Sequence, residues 1–431
     1  MDKYIQRELL KDLKKWIDRK EIYAIKGPRQ SGKTTVLWIL REWLIKERKV
    51  RPENVVFLTF EDREILEKFT LNPKDFTKSF ISSQKKYYFL LDEFHYVEEG
   101  GQKLKLLFDT LKNVKFIVTG SSSLEITAFS KYLVGRVFSF YLFPLSFYEF
   151  IGARNKRLAR IYRKKNEAVV NFLFKNKNFK VERDIFLSDL LKLFNEFVIF
   201  GGYPEVVKTK NFDTKKVILK NIYETYIGKD IIELLRISDV IKFRKLVSLL
   251  SSQIGNMINY NELSMSCGAY YKELIELINV LEETYVVKTI RPFHRNIRTE
   301  LRKNPKPYFI DLGLRNYAIN NFNLLEERVD KGGMVENFIF NSLMNMTKDF
   351  GKISYWRTLG KAEVDFVLNL EREIIPVEVK FAEMKKPKVS RGFRSFVNSY
   401  KPKKGLIVTK NLFDEIKIND TMVKFIPACY L

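Results

Sequence analysis

The residues best suited to chemistry in this sequence form Gly27-Pro28-Arg29-Gln30-Ser31-Gly32-Lys33-Thr34, which fits G-x-x-x-x-G-K-[ST] and runs on into Thr35. Its glycines let successive backbone N–H groups turn inward around phosphate oxygens, and a helix starting at its end adds partial positive charge. In that setting Lys33 reaches the β and γ phosphates of a nucleoside triphosphate, and Thr34 offers its hydroxyl to Mg²⁺. A second stretch, Tyr87-Tyr88-Phe89-Leu90-Leu91-Asp92-Glu93, is an apolar run ending in two carboxylates. Asp92 is expected to hold Mg²⁺ through its water shell, and Glu93 to orient or deprotonate an attacking water. Ser121, at the end of the apolar run from Lys115, is preferred to Thr119 as the group that polarises that water or senses the γ-phosphate. Arg136, before the aromatic run Val137–Phe143, is the candidate for stabilising transition-state charge. The expected ligands are ATP and Mg²⁺.

A different constellation lies far downstream. Glu363-Val364-Asp365-Phe366-Val367-Leu368 is followed by Ile374-Ile375-Pro376-Val377-Glu378-Val379-Lys380. A tight turn centred on Glu371-Arg372 sets residue 365 opposite residue 378, and strand alternation puts Asp365, Glu378 and Lys380 on one face. Two carboxylates and a lysine on one patch are what metal-assisted phosphodiester cleavage needs, with Glu336 from a preceding helix completing the metal shell. Pro376 threatens the register.

The elements that must position these groups follow from pattern. Ile22–Ile25 reads as a buried strand, and Thr34–Lys46 as a helix with Val36, Leu37, Leu40, Trp43 and Leu44 at helical spacing. Residues 4–18 read as an amphipathic helix, and Val55–Phe60 as a second parallel strand. Residues 152–182 are strongly basic, with little apolar periodicity before Val169, and read as an exposed insertion or the outer face of a helical lid. Gly201-Gly202-Tyr203-Pro204 breaks the chain. From Ile241 to Ile290 the order helix, short helix, longer helix, strand suits a winged helix. Its second helix offers glutamates rather than cations, so Lys288, Arg291, Arg295, Arg298, Arg302 and Lys303 in the following wing are the expected DNA-backbone contacts. The expected fold class is α/β, in four parts: a P-loop parallel sheet over 1–150, a helical lid with a basic insertion over 151–240, a winged helix over 241–310, and a restriction-endonuclease-like domain over 311–431.

Composition narrows the partners. The 431 residues carry a net charge of +25, which favours a polyanion, with nucleic acid before an acidic membrane surface. A lysine-rich thermophile proteome accounts for the same charge. Two distant cysteines and two histidines leave no zinc or disulfide pattern. No apolar run reaches the length of a membrane span, and a cytoplasmic protein is expected.

GPRQSGKTT, the Walker B-like FLLDEFHYV, IVTGSSS, the Gly-Arg ahead of residues 143–150, and GGYP resemble archaeal and bacterial AAA-type, STAND-like ATPases of the P-loop class. That resemblance implies an ATPase core, a helical lid, a winged helix and a nuclease-like tail. Residues 363–380 resemble the PD-(D/E)xK nuclease core, with Val364 in place of the usual proline. Two functions are consistent with all of this. One is a DNA-associated ATPase that couples nucleotide state to its tail. The other is a nucleotide-dependent switch for a protein partner or a second copy, with a catalytically silent tail.

Overall fold

The computed structural model describes residues 4–120, 132–180, 184–234, 239–293, 304–347, 351–371 and 373–431. They divide into two units, Met1–Leu145 with Val280–Val286, and Ser146–Asn279 with Val287–Leu431.

The first unit is built on five parallel strands: β1 (Ile22–Lys26), β2 (Val55–Thr59), β3 (Tyr87–Asp92), β4 (Val114–Gly120) and β5 (Val137–Tyr141), in the order β2-β3-β4-β1-β5. Every residue of β1, β3 and β4 is buried, as a sheet covered by helices on both faces requires. Alternation sorts them into two cores. Ile22, Ala24, Phe89, Leu91, Phe116 and Val118 share one cluster with Phe69, Leu104 and Leu107. Tyr23, Ile25, Tyr88, Leu90 and Ile117 share the other with Leu10, Leu13, Val36, Leu37, Leu40 and Leu44. The first helix covers only Leu9–Lys15, shorter than the amphipathic pattern predicts.

In the second unit the basic stretch is mostly helical, with part of it buried. Lys156–Lys175 is a single helix of 20 residues, capped by Asn155 and buried through Leu158, Ala159, Tyr162, Val169, Phe172 and Leu173. Its apolar stripe is narrow and lies between long basic side chains, which hides it from a periodicity reading. Helix Leu187–Phe200 ends at Gly201, whose φ of 75° suits glycine. A Cβ on Gly201 would stand 2.3 Å from Asp311 Oδ1, and one on Gly313 2.2 Å from the Phe200 carbonyl oxygen. Asp311 accepts from the N–H of Gly202 at 2.7 Å and of Leu314 at 3.0 Å, so Gly201, Gly202 and Gly313 serve one interlock.

Helices Val240–Ser252, Tyr260–Cys267 and Tyr271–Glu283 precede an antiparallel pair, β6 (Val287–Ile290) and β7 (Lys306–Phe309). A six-stranded sheet closes the chain: β8 (Gly351–Arg357), β9 (Glu363–Leu370), β10 (Glu373–Lys380), β11 (Lys404–Thr409), β12 (Asp414–Ile418) and β13 (Thr421–Pro427), in the order β12-β13-β11-β10-β9-β8. No helix among the described residues is long and apolar enough to cross a membrane.

Candidate functional site

The glycine-rich loop leaves β1 and turns into helix Lys33–Lys46, as its flanking sequence predicts. Gly27 has no room for a side chain, because a Cβ would stand 2.0 Å from the Leu142 carbonyl oxygen. Gln30 and Gly32 take left-handed conformations (φ 60° and 96°), which fold the loop back on itself. Pro28 and Arg29 lie between Gly27 and Gln30, and Thr35 sits in the first helical turn. Arg7, remote in sequence and buried, donates to the Ser31 carbonyl at 2.7 Å and the Phe143 carbonyl at 2.5 Å, pinning the loop from outside. Nothing in its sequence context marks Arg7, since it is a lone cation beside an amphipathic stretch.

Lys33 is buried and donates to the Gly27 and Pro28 carbonyls at 3.1 Å each. Burial lowers its pKa, opposed by the charges of Glu93 and Asp92. Ser31 Oγ is buried with no hydrogen-bond partner, an orphan inside the glycine-rich loop. A phosphate oxygen satisfies such a group, so the loop's residues fit a nucleoside triphosphate.

Asp92 ends β3 and uses both oxygens. Oδ2 accepts from Thr34 Oγ1 at 2.7 Å, and Oδ1 accepts from Thr119 Oγ1 at 2.6 Å. Thr34 gives its proton to Asp92 and keeps its lone pairs, so the pair fits Mg²⁺, with Thr34 as ligand and Asp92 behind it. Burial raises the Asp92 pKa against the pull of those two hydroxyls. Thr119 ends next to Asp92 because β4 lies between β1 and β3, and its Oγ1 also accepts the Glu93 N–H at 2.9 Å. It thus fixes both carboxylate residues. Ser121, preferred from sequence, lies outside the described residues.

Glu93 sits at φ 49°, a left-handed conformation that costs a non-glycine residue about 1 kcal/mol or more. Burial alone would raise its pKa, but His95, Lys33 and Arg29 more than offset this and hold it below the usual carboxylate range. His95 Nδ1 stands 3.0 Å from Glu93 Oε2.

Arg136 does not join this group within one chain. It immediately precedes β5, whose Val137 pairs with Ile22, the first residue of β1. The loop follows the other end of β1, five residues or about 17 Å away. Arg136 instead bonds Asp109 at 3.1 Å.

Downstream, β9 and β10 adopt the register that the turn predicts, with Leu370 opposite Glu373 and Phe366 opposite Val377, and Pro376 pairs with Val367 without disturbing it. Asp365 Oδ2 accepts the Val379 N–H at 2.7 Å. Glu378 Oε2 accepts from Ser390 at 3.0 Å, and Lys380 stands 3.1 Å from Glu378. Glu336, expected to complete a metal shell, is otherwise engaged: its Oε1 accepts from Tyr308 at 2.5 Å and lies 3.4 Å from Lys306. Among the described residues no three His, Cys, Asp or Glu side chains are grouped as metal ligands, and each of these carboxylates is engaged by a donor of the chain itself.

Of the wing cations, Lys288 is exposed on β6, and Arg291 lies where the chain joins β8, its carbonyl accepting the Tyr355 N–H at 3.2 Å. Arg295, Arg298, Arg302 and Lys303 lie outside the described residues.

Residues 19–151 match the family described as "AAA domain". The match, the parallel sheet and the phosphate loop together fit an AAA-type, P-loop nucleotide-binding domain. Residues 191–325 and 331–431 match two families described as domains of unknown function, DUF8612 and DUF4143. Along nearly its whole length the chain is similar to an uncharacterized protein of Haemophilus influenzae, 25% identical over 98% of this chain and 97% of the relative. Protein MJ1544 of Methanocaldococcus jannaschii, also uncharacterized, is 23% identical over 88% and 80%. Domain III of the Thermotoga maritima replication initiation protein DnaA overlaps 53% of this chain and 89% of its own, at 16% identity and a TM-score of 0.29, too slight a likeness to carry an argument.

Proposed function

We propose that the first unit binds ATP with Mg²⁺ and hydrolyses it. The observation that carries this is the strained Glu93, held in a left-handed conformation beside Asp92 and kept ionised by its neighbours. Strain of this kind persists where the surroundings over-determine it, which is typical of functional sites. In this reading Lys33 turns from the Gly27 and Pro28 carbonyls to the β and γ phosphates, and Ser31 Oγ gains its missing partner. Mg²⁺ bound with the triphosphate supplies charge neutralisation. Thr34 and Asp92 position it, Thr119 sets the spacing of Asp92 and Glu93, and Glu93 orients the water and takes its proton.

The finer proposal is a DNA-associated ATPase. It is supported by the net charge of +25 and by the three-helix-then-hairpin order of residues 240–309, as in a winged helix, with Lys288, Arg291 and the remaining wing cations on phosphates. A role for Arg136 then requires a second copy of the chain, which makes self-association part of this proposal. The second reading, a nucleotide-dependent switch for a protein partner, is supported by the engagement of the C-terminal carboxylates with donors of the chain itself.

The deciding experiment measures ATP turnover by wild type, Lys33→Ala and Glu93→Gln, alone and with double-stranded, single-stranded and branched DNA. Glu93→Gln is expected to lower turnover by about 10²-fold or more while MgATP still binds, and Lys33→Ala to lose binding. Stimulation by one DNA form supports the first reading, and indifference to all of them the second. No calorimetric heat with MgATP refutes both.

A further inference from the structure

The C-terminal carboxylates are engaged by donors of the chain itself. Lys306, the first residue of β7, is 2% exposed, and its Nζ lies 2.5 Å from Glu363 Oε1 and 3.4 Å from Glu336 Oε1. Tyr308, two residues on and therefore on the same face, donates to the same Glu336 oxygen. Arg357 holds the second oxygen of Glu363 at 3.1 Å. Asp365 is bonded to the Val379 amide, and Glu378 to Ser390 and Lys380. Four carboxylates thus face three cations, with the least exposed cation reaching two of them.

We infer that Lys306 is the built-in counter-ion of this cluster and keeps it closed to divalent cations. A fully desolvated ammonium is tolerated only because the acids surround it, and equally the acids depend on it. A metal ion entering among Glu336, Glu363 and Asp365 would have to displace a like charge that is already buried against two of them. Lys306 therefore does for the sheet what a metal does in a nuclease core, neutralising the acids, while supplying no Lewis acid. It also fastens the β6–β7 hairpin to β9 and to helix Lys331–Thr347. The inference stands apart from ATP hydrolysis and survives if that reading fails.

The test uses the full chain carrying Thr34→Ala and Asp92→Asn, so that the phosphate loop contributes no cation site, and reads Mn²⁺ binding by water-proton relaxation. This parent is expected to bind no Mn²⁺ at the cluster up to about 1 mM. Lys306→Met is expected to gain one site at least about tenfold tighter, lost again when Asp365→Asn is added. Lys306→Arg keeps the charge and should stay closed. One Mn²⁺ per parent chain, abolished by Asp365→Asn, overturns the inference, as does a folded Lys306→Met chain that gains no site. Should Lys306→Met not fold, the comparison of the parent with and without Asp365→Asn decides alone.

Discussion

Replacing Thr119 with valine keeps the shape of a fully buried side chain and removes one oxygen. That oxygen donates to Asp92 Oδ1 at 2.6 Å and accepts the Glu93 N–H at 2.9 Å. The substitution leaves a carboxylate oxygen and an amide unpaired, at about 1–3 kcal/mol each. With partial relaxation the loss is about 2–4 kcal/mol, or on the order of 10 °C in the melting of a unit this size. Charge makes the effect depend on pH. Burial already raises the Asp92 carboxyl above its ordinary range, and Thr119 is the first of the groups pulling it back. A carboxyl whose folded pKa is raised makes its full contribution to stability below the unfolded value and loses it as pH rises through the folded value. Thr119→Val raises Asp92 further, so the destabilisation should be complete at pH 7.5 and distinctly smaller near pH 4.5. Melting followed by tryptophan fluorescence reports mainly on this unit, which holds Trp16, Trp38 and Trp43 of the four tryptophans. Thr119→Ser should restore most of the loss. A Thr119→Val chain whose deficit is the same at both pH values would refute the claim that this hydroxyl supports the ionised Asp92.

Arg7→Ala removes two charge-assisted hydrogen bonds to the loop and to Phe143, and should cost about 2–4 kcal/mol; calorimetry should also show weaker MgATP binding, and Arg7→Lys, lacking the fork, should recover less than half. Burial pushes Asp311 up to about 6, against the amides of Gly202, Leu314 and Gly313. Wild-type stability should therefore fall by roughly 3 kcal/mol as pH rises from about 4 through 6, and denaturant titrations of Asp311→Asn should lack that slope.

Much of the candidate site could be read from the chain because its residues stand at the ends of the elements that carry them. Lys33 and Thr34 open a helix, Asp92 closes a strand, and Glu93 follows directly. The facing of residues 365 and 378 was legible because a tight turn fixes the register on both sides of it. What escaped depends on contacts between distant segments. Thr119 matters only because β4 lies between β1 and β3, an order that no local pattern encodes. Arg7 reaches carbonyls 24 and 136 residues away. Lys306 has the composition of an ordinary basic loop until the fold surrounds it with acids. Whether Arg136 could serve its own chain was not legible either, because it precedes β5 and so lies at the opposite end of the strands from the loop that follows the parallel neighbour β1.

The bond from Gly202 to Asp311 spans 109 residues. Until Asp311 and Gly313 have left the ribosome, the end of helix Leu187–Phe200 has nothing to seat against, and the intervening helices hang from an unfastened base. Loop closure on this scale is an entropic debt met before any contact repays it. The second unit should accordingly mature late in synthesis and refold slowly from denaturant, with the clasp at Gly201 and Gly313 as its gating event.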